Sequence, residues 1–158
     1  MLGRLLGKNS GNGLATSLLF NERTFYAQLR RDLDRAKEEI VIESPFMTRR
    51  RVKSLLPSLH RAVQRGVKVV INTREPDEHE GFLRQEAEWA IPALQRIGAK
   101  VLFTADHHRK LAILDRKVLW EGSHNILSQN SSCEVMRRIK SPALSQEMIR
   151  FIGIDRFL

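Results

Sequence analysis

Six residues between His108 and Asn125 are spaced as H-x-K-x4-D-x6-G-S-x-N, and most of their side chains can act on a phosphate ester. A neutral histidine can attack phosphorus, because its pKa lies near working pH and a ring nitrogen carries a free lone pair. A lysine ammonium and an asparagine amide can bind the non-bridging oxygens, and a serine hydroxyl can donate to phosphate or to a neighbouring side chain. The spacing therefore predicts phosphoryl transfer by His108, with Lys110, Ser123 and Asn125 binding the phosphate.

The same motif resembles the signature of the phospholipase D superfamily, whose members cleave or transfer phosphodiesters. The resemblance implies a two-step reaction through a phosphohistidine. His108 would be the nucleophile or, in an opposing half-site, the general acid that protonates the leaving group. No metal ion and no other cofactor is implied, because histidine, lysine and asparagine supply the electrostatics.

Two acidic residues belong to this catalytic set by resemblance. Glu134 matches the downstream acidic residue that orients the catalytic histidine by bonding one ring nitrogen. Asp115 matches the motif aspartate. In a strand over 108–115 it has the opposite parity to His108 and Lys110, so we expect it to support the fold or the dimer rather than contact phosphate.

The chain carries one copy of the motif, whereas active sites of the superfamily use two copies face to face. A reaction that needs both a nucleophile and a separate acid then requires two chains. We therefore expect a symmetric homodimer with the site on its two-fold axis. A partner chain that carries the other half is the alternative.

The 158 residues carry a net charge of +9, which favours an anionic partner. Nucleic acid is the simplest such partner, with DNA expected before RNA, although an anionic membrane surface would satisfy the same electrostatics. The single Cys133 excludes an intramolecular disulfide, indicates a cytoplasmic location, and is expected in the core. No apolar run has the length of a membrane span.

Cationic side chains near the motif and at a predicted helix start are candidates for contact with a nucleic-acid backbone. Tyrosine and tryptophan are scarce, which argues against base stacking as the main binding mode. The candidate cations are Arg49, Arg50, Arg51, Lys53, Arg109, Arg137 and Arg138.

Hydrophobic periodicity predicts helices that alternate with strands, followed by strands in quick succession and a last helix. We expect an α/β fold: a mixed β-sheet with helices on both faces, similar to the phospholipase D α-β-α sandwich. Residues 1–20 are predicted to be a flexible leader or linker, and 21–158 a single catalytic domain. The predicted helices are 22–37 (capped by Asn21), 48–66 (kinked or broken at Pro57), 82–97 and 142–150, and the predicted strands are 39–43, 67–72, 100–103, 108–115, 117–121 and 133–139.

The remaining histidines have simpler interpretations. His60 and His79 are expected at the surface or in the core, His107 at the rim of the site, and His124 facing outward. No compact zinc pattern matches the spacing of the possible ligands His107, His108, His124, Cys133 and Glu134.

Three functions fit these observations. The first is a nuclease. The second is a nucleic-acid-binding module of a helicase or mobile-element assembly with weak or lost catalysis, and the third is a phospholipase or phosphatidyl transferase. The acidic loop 75–80 could gate the substrate or contact a partner.

Overall fold

The computed structural model describes residues 16–128 and 131–158, which form alternating strands and helices followed by an antiparallel half. Short 3-10 helices at Pro76–Glu78 and Asp155–Phe157 complete these elements. The strands are β1 (Thr16–Asn21), β2 (Glu39–Glu43), β3 (Lys68–Thr73), β4 (Lys100–Phe103), β5 (Leu111–Leu114), β6 (Val118–Gly122) and β7 (Val135–Lys140), and the helices are α1 (Phe25–Arg35), α2 (Arg49–Gln64), α3 (Gly81–Arg96) and α4 (Pro142–Ile152).

The strands form one mixed sheet in the order β1-β7-β6-β5-β2-β3-β4. Strands β2, β3 and β4 pair in parallel, whereas β2-β5, β5-β6, β6-β7 and β7-β1 pair antiparallel. Alternation along each strand gives the sheet two apolar faces, so it needs a helical layer on each side. The predicted α/β class with a mixed sheet between helices is confirmed.

The two helical layers are unequal. Helices α1, α2 and α3 cover one face, where Phe25, Leu55 and Leu94 pack over Ile71 and Trp120 in a large buried cluster. Helix α4 and the C-terminal 3-10 helix cover the other face with a smaller cluster built around Ile149 and Ile154. The described residues include no helix that is long and apolar enough to cross a membrane.

The N-terminal boundary differs from the prediction. Residues 16–20, expected to belong to a flexible leader, lie in β1, which pairs with β7 from Thr16–Lys140 to Asn21–Val135. Asn21 ends this strand, and its side chain accepts bonds from the Arg23 and Thr24 amides in a turn. Helix α1 therefore begins at Phe25, with Thr24 as its N-cap. The rest of the predicted leader, 1–15, lies outside the described residues.

Other boundaries shift by a few residues. The strand predicted over 108–115 is reduced to β5, and residues 107–110 form an irregular lead into it. Helix α2 starts after Thr48 as predicted, because the Thr48 hydroxyl accepts a bond from the Arg51 amide. The helix continues through Pro57 without the predicted break.

Candidate active site

The motif residues lie at one end of the antiparallel half of the sheet. His108 and Lys110 directly precede β5, Ser123 and Asn125 directly follow β6, and Glu134 directly precedes β7. Because β5, β6 and β7 are antiparallel neighbours, the start of β5, the end of β6 and the start of β7 coincide. The sheet thus gathers residues that are far apart in sequence.

His108 and Lys110 form a close pair in which the ammonium is the donor. Lys110 Nζ lies 2.9 Å from His108 Nδ1 and also donates to the His108 carbonyl at 2.9 Å. An ammonium has no acceptor, so Nδ1 accepts and the proton of a neutral His108 ring lies on Nε2. Partial burial lowers the pKa of Lys110, and the nearby Glu134 carboxylate opposes that effect.

Arg109, between these two residues, has its charge balanced inside the protein. Its guanidinium donates through Nε and Nη2 to the Glu43 carboxylate, which is completely buried at the end of β2. The Asn72 amide donates to the same carboxylate at 2.9 Å. The contact of Arg109 with nucleic acid stays a prediction. The pair with the buried Glu43 fixes Arg109 on the inner side of the 107–110 segment, and His108 remains exposed.

His107 belongs to the same anchor and is buried, so the expectation of a rim position is wrong. Its Nδ1 accepts the Arg109 amide at 3.0 Å, and its Nε2 lies 3.2 Å from the Asn72 carbonyl. The neutral ring with its proton on Nε2 satisfies both contacts. Burial is the main cause that lowers the pKa of His107, which favours this neutral form.

Ser123 and Glu134 connect the ends of β6 and β7. The Ser123 hydroxyl donates to the Glu134 carboxylate and accepts the Val135 amide at 3.1 Å, and the Ser132 hydroxyl donates to Glu134 at 2.6 Å. These two hydroxyl groups are the main causes that lower the pKa of Glu134. In this arrangement the donor of Ser123 serves Glu134 rather than a phosphate. The neighbouring Cys133 is exposed, not in the core as expected.

Gly122 allows the two strands to approach each other at this point. A Cβ atom at Gly122 would lie 2.1 Å from the Val135 carbonyl oxygen and 2.9 Å from Met136 Cα. No side chain fits in that space, so the motif glycine is required by the β6-β7 contact rather than by a left-handed backbone.

His124 and Tyr26 hold the loop that carries Asn125. His124 is buried, contrary to the predicted outward position, and its Nε2 lies 2.7 Å from the Tyr26 hydroxyl. That hydroxyl donates to the Ile126 carbonyl at 2.9 Å. Tyr26 was missed by the sequence analysis. The one feature of the sequence that points to Tyr26 is a hydroxyl group among the apolar residues of the buried face of α1.

Asp115 lies at the other end of β5 from His108. Its carboxylate accepts the backbone amides of Lys37, Glu38 and Glu39 at 2.8 to 3.1 Å, which fixes the segment that leads into β2. Its backbone has a positive φ of 52° in the turn to β6, a conformation that aspartate adopts more readily than most residues. Asp115 therefore supports the sheet.

The basic residues of α2 differ in their accessibility. Arg49 and Lys53 lie over the Trp89 ring, at 5.2 and 5.3 Å from its centroid, and both are exposed. Arg50 is exposed as well. Arg51 is half-buried, with its guanidinium 3.5 Å from the centroid of the Tyr26 ring. Arg51 therefore packs behind the site, and the other three face solvent.

The two arginines of β7 are bound within the protein. Arg138 makes two bonds to the buried Asp32 carboxylate, at 2.7 and 2.8 Å, and Trp120 Nε1 donates to the same group at 2.9 Å. The charge of Arg138 is therefore neutralised under α1, and its expected contact with nucleic acid stays a prediction. Arg137 lies on the other face and donates to Ser17 in β1 at 2.6 Å.

Among the residues that the structure describes, no three His, Cys, Asp or Glu side chains form a group suited to a metal ion. The prediction that catalysis needs no metal is not tested by this observation.

Comparisons with known proteins agree with the fold and the motif. None of the curated proteins matches the sequence. Nuc from Salmonella typhimurium, described as a phospholipase D family member, superposes with a TM-score of 0.71 at 18% identity over 87% of this chain and 91% of its own. NucT from Helicobacter pylori gives 0.71 at 21% identity, covering 87% and 92%. TrmBL2, an archaeal chromatin protein, gives 0.60 at 14% identity, covering 85% of this chain and 50% of its own.

At these identities the structural matches show a shared fold. A family model is more specific: the model described as "Cardiolipin synthase, PLD-like domain" matches residues 29–153, which include every residue of the motif. The chain therefore belongs to the PLD-like domain family of the phospholipase D superfamily.

Proposed function

We propose that this protein is a metal-independent nuclease that cleaves DNA through a phosphohistidine, with its active site at the two-fold axis of a homodimer. One observation carries the proposal: the sheet gathers His108 and Lys110 with Ser123, Asn125 and Glu134 at one end. A nucleophile, a cation, an amide and a carboxylate are the groups that a two-step phosphodiester cleavage requires.

In the first step, His108 Nε2 attacks phosphorus and the P–O bond to the leaving strand breaks. His108 of the partner subunit, protonated on both ring nitrogens, gives its Nε2 proton to that leaving oxygen and becomes neutral. In the second step, the same partner histidine removes a proton from water, and the resulting hydroxide displaces His108. Both histidines then regain their starting states, and one water has been consumed.

The contact between Lys110 and His108 must change for the first step. Attack through Nε2 requires the ring proton on Nδ1, the atom to which Lys110 donates in the structure. A bound phosphate draws the ammonium to a non-bridging oxygen and frees Nδ1. The Nδ1 proton then needs an acceptor. We assign that role to Glu134, whose carboxylate already attracts Lys110 electrostatically.

Charge supports nucleic acid as the substrate. The chain has a net charge of +9, and Arg49, Arg50 and Lys53 are exposed on α2. TrmBL2, which shares the fold, is a chromatin protein with a described mode of DNA binding. Its example favours a binding module as the second candidate. The family model, whose description names cardiolipin synthase, favours phosphatidyl transfer as the third.

Cleavage in excess EDTA tests the proposal. Labelled single- and double-stranded DNA would be incubated with the wild type, with His108→Ala, and with His60→Ala as a matched control at an exposed histidine of α2. We expect cutting by the wild type and by His60→Ala, and a loss of at least about a hundredfold in His108→Ala with DNA binding largely kept. Cutting by His108→Ala at the wild-type rate would refute the proposal.

A further inference from the structure

A cleft of about 510 Å³ opens beside the motif, between the N-terminal ends of α2 and α3 and the loop after β6. Its wall includes Phe46, Arg50, Phe82, Glu86 and the motif residue Asn125. This volume lies within the range of about 300 to 1,000 Å³ that is typical of small-ligand sites. Because Asn125 lines it, the cleft is continuous with the proposed phosphate position.

Phe46 connects the cleft to the proposed nucleophile. Its ring meets the His108 ring edge-to-face, with the centroids 6.1 Å apart, and its other neighbour is the buried His79 ring at 5.4 Å. Phe46 is half-buried. Phe46 therefore gives the cleft an aromatic wall that is in contact with the proposed nucleophile.

Phe82 presents a second aromatic ring to the cleft. It lies in the first turn of α3 and is 66% exposed, although a phenyl ring in water gives up the favourable free energy of burial. Flat apolar rings that remain exposed beside a polar site are typical of surfaces that stack on a ligand.

The charges around the cleft suit a nucleotide. Arg50 supplies an exposed cation at the wall. The Glu86 carboxylate is already bound by the Arg49 amide at 2.6 Å and by its guanidinium at 3.9 Å, so the negative charge is compensated. An aromatic slot with a cation at its rim matches an unpaired base whose neighbouring phosphate lies outside.

We propose that this cleft binds an unpaired base next to the scissile phosphate, with Phe82 as the stacking residue, so that single-stranded nucleic acid is the preferred substrate. The inference rests on the proposed function for the position of that phosphate. In a duplex, paired bases are stacked inside the helix and cannot reach the cleft without being flipped out. The scarcity of tyrosine and tryptophan argues against stacking along a whole strand. It does not argue against one stacked base, for which the single ring of Phe82 is sufficient.

Binding measured without cleavage tests the inference. All variants would carry His108→Ala, and fluorescence anisotropy would measure their affinity for a single-stranded oligonucleotide and for an abasic strand with the same number of phosphates. Phe82→Ala is compared with Phe82→Tyr, which keeps a ring, and with Phe151→Ala, a control at an 82% exposed phenylalanine on α4.

We expect Phe82→Ala to weaken binding of the normal strand about tenfold and to leave the abasic strand unchanged. This follows because one stacked base contributes about 1 to 3 kcal/mol and about 1.4 kcal/mol equals a factor of ten. Phe82→Tyr and Phe151→Ala should bind like the parent. An equal loss for both strands, no loss for either, or no binding of single strands by the parent would overturn the inference.

The two proposals fail in different ways. Because the anisotropy experiment needs no turnover, stacking by Phe82 can be established even if the wild type cuts nothing in EDTA. Conversely, cutting that depends on His108, together with unchanged binding by Phe82→Ala, would contradict stacking by Phe82 and support the nuclease activity.

Discussion

At the scale of single residues, the His108–Lys110 contact defines a resting state. With Lys110 donating to Nδ1, the neutral His108 ring holds its proton on Nε2, so the atom that would attack phosphorus has no free lone pair. In the proposed dimer, the nucleophile needs a neutral ring with a free Nε2, and the general acid needs a ring protonated on both nitrogens. A phosphate bound nearer to one Lys110 would withdraw that ammonium and convert only that histidine into the nucleophile.

Glu134 gives a pH-dependent contribution to stability. Hydrogen bonds from the Ser123 and Ser132 hydroxyls lower its pKa below the ordinary value of 4.5. The unfolded chain therefore binds this proton more tightly than the folded chain. The stabilisation is fully present above the ordinary pKa and is lost as the pH falls through the lowered pKa.

Urea unfolding between about pH 3 and pH 7 would measure that contribution. The difference in the free energy of unfolding between the wild type and Glu134→Gln should be constant near neutral pH and shrink at acid pH. Ser123→Ala, which removes the main cause of the lowered pKa, should reduce the pH-dependent part. A wild-type and a Glu134→Gln profile that run parallel over the whole range would contradict this assignment.

The motif predicted that His108, Lys110 and Asn125 act together, and the strand order places all three at one end of the sheet. The motif could not identify which of the neighbouring arginines have their charge neutralised by a carboxylate inside the protein. Arg109 finds its carboxylate 66 residues away and Arg138 finds its own 106 residues away. His107 is buried because it lies in an irregular segment, where strand alternation does not apply. His124 is buried because it contacts Tyr26, and hydrophobic periodicity does not predict that contact.

At the scale of elements, β7 separates two adjacent arginines onto opposite faces of the sheet. Arg138 faces α1 and is bound to Asp32 with both side chains nearly inaccessible, whereas Arg137 faces away and binds the Ser17 hydroxyl. Removing Arg138 leaves a buried carboxylate that keeps the Trp120 and Gln28 donors but has lost its positively charged partner. Removing Arg137 leaves only a hydroxyl group without its partner.

We therefore expect Arg138→Met to lower the free energy of unfolding by about 3 to 5 kcal/mol. Arg137→Met makes the same change in charge one residue away and should cost less than about 1.5 kcal/mol. Urea unfolding of both variants provides the comparison. Equal losses would show that the Arg138–Asp32 pair contributes no more than a surface contact.

Most elements followed from periodicity, because α2, β2, β3 and α4 each carry a clear apolar pattern with a cap or breaker. Strand β1 did not, since Thr16–Asn21 follows a segment rich in glycine and asparagine and lies at the sheet edge. Its partner β7 lies more than a hundred residues later in the chain, and only that pairing makes the segment a strand.

At the scale of the whole molecule, the proposed mechanism takes one of its two histidines from each chain of a homodimer. Equal amounts of wild type and His108→Ala, mixed under conditions of subunit exchange, test for a shared site. Random pairing should leave about half of the activity of the wild type alone, because hybrid dimers lack one of the two histidines. Activity that is unchanged by the added variant would show that each protomer acts by itself.

Covalent attack by His108 determines the stereochemical course of the reaction at phosphorus. The substrate would be an oligonucleotide with one chiral phosphorothioate at the cleavage site, and cleavage in water enriched in heavy oxygen would label the product. Each in-line displacement inverts phosphorus, so the two displacements of a phosphohistidine pathway should give net retention. Net inversion would mean that water attacks phosphorus directly and that His108 is not the nucleophile.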